Sequence, residues 1–178
     1  FGLLLSFASV GVTIFLAVWL QRDSGLTGPA GAGVLLSIPG LIGIAAAPLA
    51  GYLGDRWGIR KAFVAGVVVA GIGIAGIFAV PDILVGYLAW MVLLGIGNTA
   101  TTTNLGALSL VLWPQLRQTV AGLFNGARFF GLAAAPLMLA PLYDSASIRG
   151  VLIVAIALLL VCAMALRAVP QASSSSSP

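Results

Sequence analysis

Six long apolar runs, separated by short polar breaks, constrain this chain more than any other feature. They lie at about 2–21, 31–54, 62–80, 83–112, 118–142 and 150–168. About 20 mostly apolar residues are what an α-helix needs to cross the hydrocarbon core of a bilayer. Backbone groups in lipid must bond within their own segment, and the two-residue alternation of a barrel strand is missing, so the runs predict helices. Composition excludes water as the solvent: of 178 residues, 61% are apolar and 7% charged, and mean hydropathy is +1.16. A soluble domain of this length cannot cover so much apolar surface, and a disordered chain has the opposite bias. The expected fold class is an all-α membrane protein, with residues 1–168 as one six-helix transmembrane domain. Residues 169–178, ending in a serine run, read as a disordered polar tail. The first run begins at once after Phe1 with no basic stretch before it, unlike a signal peptide, so the chain reads as a piece cut at or slightly inside its first helix.

The charges are few and sit between the runs. Eight Lys and Arg face four Asp, with no Glu and no His, for a net charge of +4. A nucleic-acid binder would gather its basic residues into a stripe with aromatics, and none is present, so no nucleic-acid partner is expected. Arg56, Arg60, Lys61, Arg117 and Arg167 fall on one side of an alternating six-span path, and Arg22 and Arg149 on the other. The positive-inside rule assigns the first group, and the C-terminus, to the cytoplasm, with Trp57 and Trp113 near that interface. Without histidine and with one cysteine, the chain is expected to hold no metal or other cofactor. Cys162, inside an apolar run, reads as lipid-facing or as packing. No nucleophile–base pair can be assembled either, so an enzyme is not expected.

The sequence repeats itself. Gly43-Ile44-Ala45-Ala46-Ala47-Pro48-Leu49 returns as Gly131-Leu132-Ala133-Ala134-Ala135-Pro136-Leu137, and each copy is followed by Asp-x-x-x-Ile-Arg, at Asp55 and at Asp144. Those aspartates are 89 residues apart. Two three-helix units, at about 1–80 and 83–168, are implied; three being odd, the second enters the membrane from the opposite side. Inverted-topology repeats of this kind build secondary transporters, with the binding site at mid-membrane.

The turn Gly51-Tyr52-Leu53-Gly54-Asp55-Arg56-Trp57-Gly58-Ile59-Arg60-Lys61 closely resembles the signature loop of the major facilitator superfamily, G-x-L-x-D-R-x-G-R/K-R/K. It matches at Gly51, Leu53, Asp55, Arg56, Gly58, Arg60 and Lys61 and departs at Ile59. It also falls between the second and third spans, where the family carries it. Residues 114–128 resemble the loop and fifth helix of C-terminal halves, which makes a missing N-terminal six-helix half the expected partner; an N-terminal half is the alternative. The resemblance implies a secondary transporter of small molecules working by alternating access. Similar proteins are often proton-coupled exporters of drugs or metabolites in the plasma (inner) membrane of bacteria or archaea. An uptake symporter or uniporter is the alternative within the class, and a self-contained six-helix assembly factor or channel the alternative outside it.

The turn's chemistry fits a conformational switch. Asp55 ends the second helix, where the macrodipole disfavours a lone carboxylate by roughly 0.3–1 kcal/mol, so it is expected to seek Arg56, Arg60 or another helix's N-terminus. In the family the equivalent carboxylate latches against the other half and releases when the state changes. Gly58 is expected to take a positive φ, and Gly51 to admit a neighbouring helix closely.

Polar residues inside spans mark the path or the packing interior. The third and sixth spans carry almost none and read as peripheral, the second is marginal, and the first, fourth and fifth are the expected lining. Thr13, Asn98, Thr102, Asn125 and Arg128 are the substrate-path candidates. On helical spacing Asn98, Thr101 and Thr102 share one face and Thr99 and Thr103 another, with some hydroxyls bonding back to their own helix. Arg128 lies roughly 15 Å into its span at 1.5 Å per residue, with no acidic residue in any span to pair with it. Its partner is expected to be water, backbone carbonyls, a carboxylate of the other half or an anionic substrate, and helix bracing is the other reading. Gly122 and Gly126, four apart, suggest close helix packing.

Overall fold

A computed structural model describes residues 1–23, 28–79 and 84–168. The polar break at Ser24, the break at Pro81-Asp82 and the predicted tail at 169–178 lie outside the described residues. The elements are α1 (Gly2–Arg22), α2 (Pro29–Trp57), α3 (Ile59–Ala79), α4 (Leu84–Leu112), a single 3-10 turn (Pro114–Leu116) and α5 (Arg117–Ala168). At Ser147 the backbone leaves the helical region, with φ 57° and ψ −165°, so α5 is two helical arms, 117–146 and 148–168. Among the described residues, four stretches are long and apolar enough to cross a membrane: Gly2–Arg22, Pro29–Trp57, Ile59–Phe78 and Pro114–Ala165.

Contacts along the helices give their directions. Gly11 packs on Leu139 and the Phe15 ring stacks on Tyr143 at 5.1 Å, so α1 and the first arm of α5 run parallel. Gly95 packs on Pro39, Gly43 on Thr99, and Asn104 donates to the Ala50 carbonyl at 3.2 Å, so α2 and α4 run parallel too. Gly66 meets Thr101, Gly73 meets Leu94 and Gly76 meets Trp90, so α3 and α4 are antiparallel. That last pair packs backbone to backbone: a Cβ on Gly97 would sit 2.7 Å from Ala70 Cα.

The core gathers one stripe from each helix, including Val12, Leu16, Phe63, Ile74, Met91, Leu94, Leu152 and Leu159. Cys162 is part of it, fully buried, which decides between its two readings in favour of packing. The polarity of a span does not track how much of it is buried among the described helices. α3 buries Phe63, Val67, Ala70, Ile74 and Ile77 on one side and exposes Val64, Val68 and Ile72 on the other. α2 is the least covered helix, exposing Val34, Leu41, Ile44 and Leu49, and Leu123, Phe129, Phe130 and Leu137 are exposed on the first arm of α5. Gly51, Gly122 and Gly126, expected at close helix contacts, have no neighbour where a Cβ would stand. The close contact near the turn is made instead by Gly54, whose open side is filled by the Asn104 amide.

Candidate functional site

α1, α2, α4 and the first arm of α5 enclose a cavity of about 400 Å³. α1 supplies Ser9, Val10, Thr13 and Ile14, and α4 supplies Leu94, Asn98, Thr99 and Thr102. α2 contributes Leu36, Pro39, Gly40 and Gly43, and Arg128 enters from α5. No residue of α3 or of the second arm of α5 lines it.

Three hydroxyls on this wall, those of Ser9, Thr13 and Thr102, are anchored to their own helices. Thr13 donates to the Ser9 carbonyl at 2.8 Å, Ser9 to the Ser6 carbonyl at 3.3 Å, and Thr102 to the carbonyls of Asn98 at 2.9 Å and Thr99 at 3.2 Å. Arg128 is held differently. Its guanidinium carbon lies 5.7 Å from the centre of the Phe124 ring, a cation–π contact, while its Nε is buried with no hydrogen-bond partner among the described residues. A buried donor left unmade costs about 1–3 kcal/mol, more when charged, so this group is poised for a partner.

The turn between α2 and α3 is exposed at Asp55, Arg56, Trp57, Gly58 and Lys61, with Arg60 half-buried. Gly58 has φ 90° and ψ 139°, the positive φ expected of it. Arg56 does not pair with Asp55; it reaches back one turn and donates to the Tyr52 hydroxyl at 3.1 Å. Of the partners expected for Asp55, Arg56 is taken instead by Tyr52, four residues before it on the same helix face.

A family model described as Major Facilitator Superfamily matches residues 1–178. The chain belongs to that superfamily. It is an integral membrane protein and a membrane transporter of the superfamily. No curated protein and no solved structure matches it.

In this facilitator chain, Thr13, Asn98, Thr102 and Arg128 share the cavity wall. The faces of α4 also differ from helical spacing alone. Thr101 turns away from the cavity into the α3 contact, bonding the Gly97 carbonyl at 2.6 Å, and Thr99 takes its place on the wall. The reason is the close α3–α4 approach, which commits that side of α4 to packing. Ser9 and the Pro39, Gly40 and Gly43 wall were not among the candidates. Ser9 was visible as the i−4 partner of Thr13; the α2 wall carries no polar signal at all.

Proposed function

We propose that this chain forms one six-helix half of a secondary transporter, the C-terminal one, exporting small molecules by alternating access with a second six-helix half as its partner. The observation that carries this is the cavity: four helices contribute to it, its wall carries Arg128, a charge set deep in its span, and α3 and the second arm of α5 stay outside. An inverted repeat within the half is supported by three correspondences. The described residues with positive φ are Gly58 and Ser147, which are 89 residues apart, as are the aspartates before them. The parallel pairs α1 with the first arm of α5, and α4 with α2, exchange under that shift. Phe15 stacks on Tyr143 and Asn104 fills the side of Gly54, and Phe15 and Asn104, like Gly54 and Tyr143, are 89 residues apart.

The cytoplasmic side in this reading is that of Asp55 to Lys61 and Arg117, where Trp57 and Trp113 are both exposed at interface depth. The membrane would be a bacterial or archaeal plasma membrane. Proton coupling, if export is proton-driven, draws on a carboxylate of the other half, because Asp23, Asp55 and Asp144 lie at the ends of their helical arms. The test is accessibility. With Cys162 replaced by Ala, single cysteines at Ser9 and Thr102 in the membrane-embedded protein should be alkylated from either face, with protection on one side rising as the other falls. Labelling from one face only, under every condition, would overturn alternating access. Uptake and efflux in vesicles under imposed proton gradients then fix direction and coupling.

A further inference from the structure

We infer that the cavity selects small organic anions that carry hydroxyl or amine donors, such as hydroxycarboxylates, over plain carboxylates, neutral polyols and cations. The inference rests on the transporter reading of that cavity and comes from the hydrogen-bonding state of each group on its wall. A carbonyl oxygen can only accept, so each hydroxyl bonded to one must spend its single proton there. Thr13, Ser9 and Thr102 are all in this state. What they present to the cavity is lone pairs. Their wall therefore asks a ligand for donors, and a ligand with acceptors alone gains nothing from it.

Arg128 asks for the opposite. Its guanidinium has donors only and a fixed positive charge, its Nε is buried without a partner among the described residues, and the Phe124 ring face cannot accept in the way a carboxylate does. No acidic residue lines the cavity, so its fixed charge is that of Arg128. A carboxylate on the guanidinium satisfies this end, in the bidentate geometry that a planar fork favours. Asn98, an amide that both donates and accepts, suits either part of such a ligand. A cavity of about 400 Å³ lies at the small end of ligand sites, with Pro39, Gly40 and Gly43 leaving it open along α2.

The test is a four-compound panel on the purified protein in nanodiscs, read by calorimetry and thermal stabilisation. Gluconate carries the carboxylate and the hydroxyls, hexanoate the carboxylate alone, sorbitol the hydroxyls alone, and N-methylglucamine the hydroxyls with a cation. Gluconate should bind best at millimolar concentration and N-methylglucamine worst. Arg128→Gln should weaken gluconate by about tenfold or more, with Arg128→Lys in between, because lysine keeps the charge and loses the fork. Thr13→Val and Thr102→Val keep shape and remove the acceptor, so they should bring gluconate toward hexanoate without moving hexanoate. They also serve if Arg128→Gln fails to fold. Equal binding of gluconate and N-methylglucamine, no binding of gluconate, or gluconate affinity unmoved by the Arg128 and threonine variants would overturn the inference. Its failure is separable from that of the transport reading: cysteine accessibility that alternates while the panel fails sinks the anion class alone, and accessibility fixed on one face sinks the transporter whatever the panel shows.

Discussion

The turn at Gly58 and the break at Ser147 follow the same Asp-x-x-x-Ile-Arg pattern, yet the chain secures them in different ways. Gly58 joins two helices through an exposed, charged turn whose Arg56 bonds back to Tyr52 of its own helix, with Asp55 exposed. Ser147 interrupts α5 beside a clamp: the Tyr143 hydroxyl donates to Asp23 at the end of α1 at 2.5 Å, and its ring stacks on Phe15. The residue types follow suit. Glycine takes a positive φ at little cost, whereas serine at φ 57° and ψ −165° is strained, by about 1–3 kcal/mol, and persists only where its surroundings hold it. One junction is built to change partners and the other to stay put.

The largest effect that sharpens this contrast is expected at Gly58. Gly58→Val places a β-branched residue where φ is 90°, and it should destabilise the protein by about 1–3 kcal/mol in thermal unfolding in detergent. Ser147→Ala, at a position that already bears a side chain, should stay within about 0.5 kcal/mol of the parent. Equal losses at both would mean the two junctions are not held differently. Next comes Asp55→Asn, which should shift the ratio of inward- to outward-accessible cavity cysteines by about tenfold, while Asp144→Asn moves it less than twofold. Equal accessibility in parent and Asp55→Asn would remove the switch from that turn.

A smaller effect belongs to the clamp. Tyr143→Phe keeps the stack on Phe15 and loses the hydrogen bond to the Asp23 carboxylate, and should cost about 0.5–1.5 kcal/mol. Tyr52→Phe, which removes the exposed contact with Arg56, should cost less than about 0.5 kcal/mol. If Tyr52→Phe proved the more damaging, the ordering of the two junctions would be reversed.

Much of this was legible in the sequence because it follows from local composition. Apolar runs long enough to span a bilayer become helices wherever their backbone bonds can close only internally, and the helix ends fall within a few residues of the polar breaks. The cavity-facing places of Thr13, Asn98, Thr102 and Arg128 follow from the cost of burying polar groups in lipid. What depended on pairs of helices was not legible. Thr101 and Thr99 exchange roles because Gly66 and Gly97 let two backbones meet, and nothing in the threonine run announces it. Asn125 lies on the side of its helix that the described helices leave exposed. Gly51 and Gly54 look alike as letters, and only Asn104 on α4 distinguishes them. The positive φ of Ser147 is invisible in a serine and readable only through the repeat, as the position matching Gly58.

That correspondence supports the smallest and most discriminating prediction, Ser147→Gly. Two effects oppose each other. Glycine relieves the strain of a serine at φ 57°, worth about 1–3 kcal/mol in favour of the folded state. It also widens the freedom of the unfolded chain, worth about 0.5–1 kcal/mol against it. The serine side chain is exposed, and the hydroxyl that bonds a helix carbonyl here belongs to Ser145, which reaches Leu142 at 3.1 Å, so little contact is lost with Ser147. Strain relief should win, raising stability by about 0.5–1 kcal/mol in the same unfolding assay. The gain should vanish in the Tyr143→Phe background if the clamp is what holds the serine in its strained conformation, since a loosened junction lets it relax unaided. A loss of stability in Ser147→Gly would show that the serine is not strained in the membrane-embedded protein, and that the match between the two junctions lies in their sequence pattern and not in their backbone.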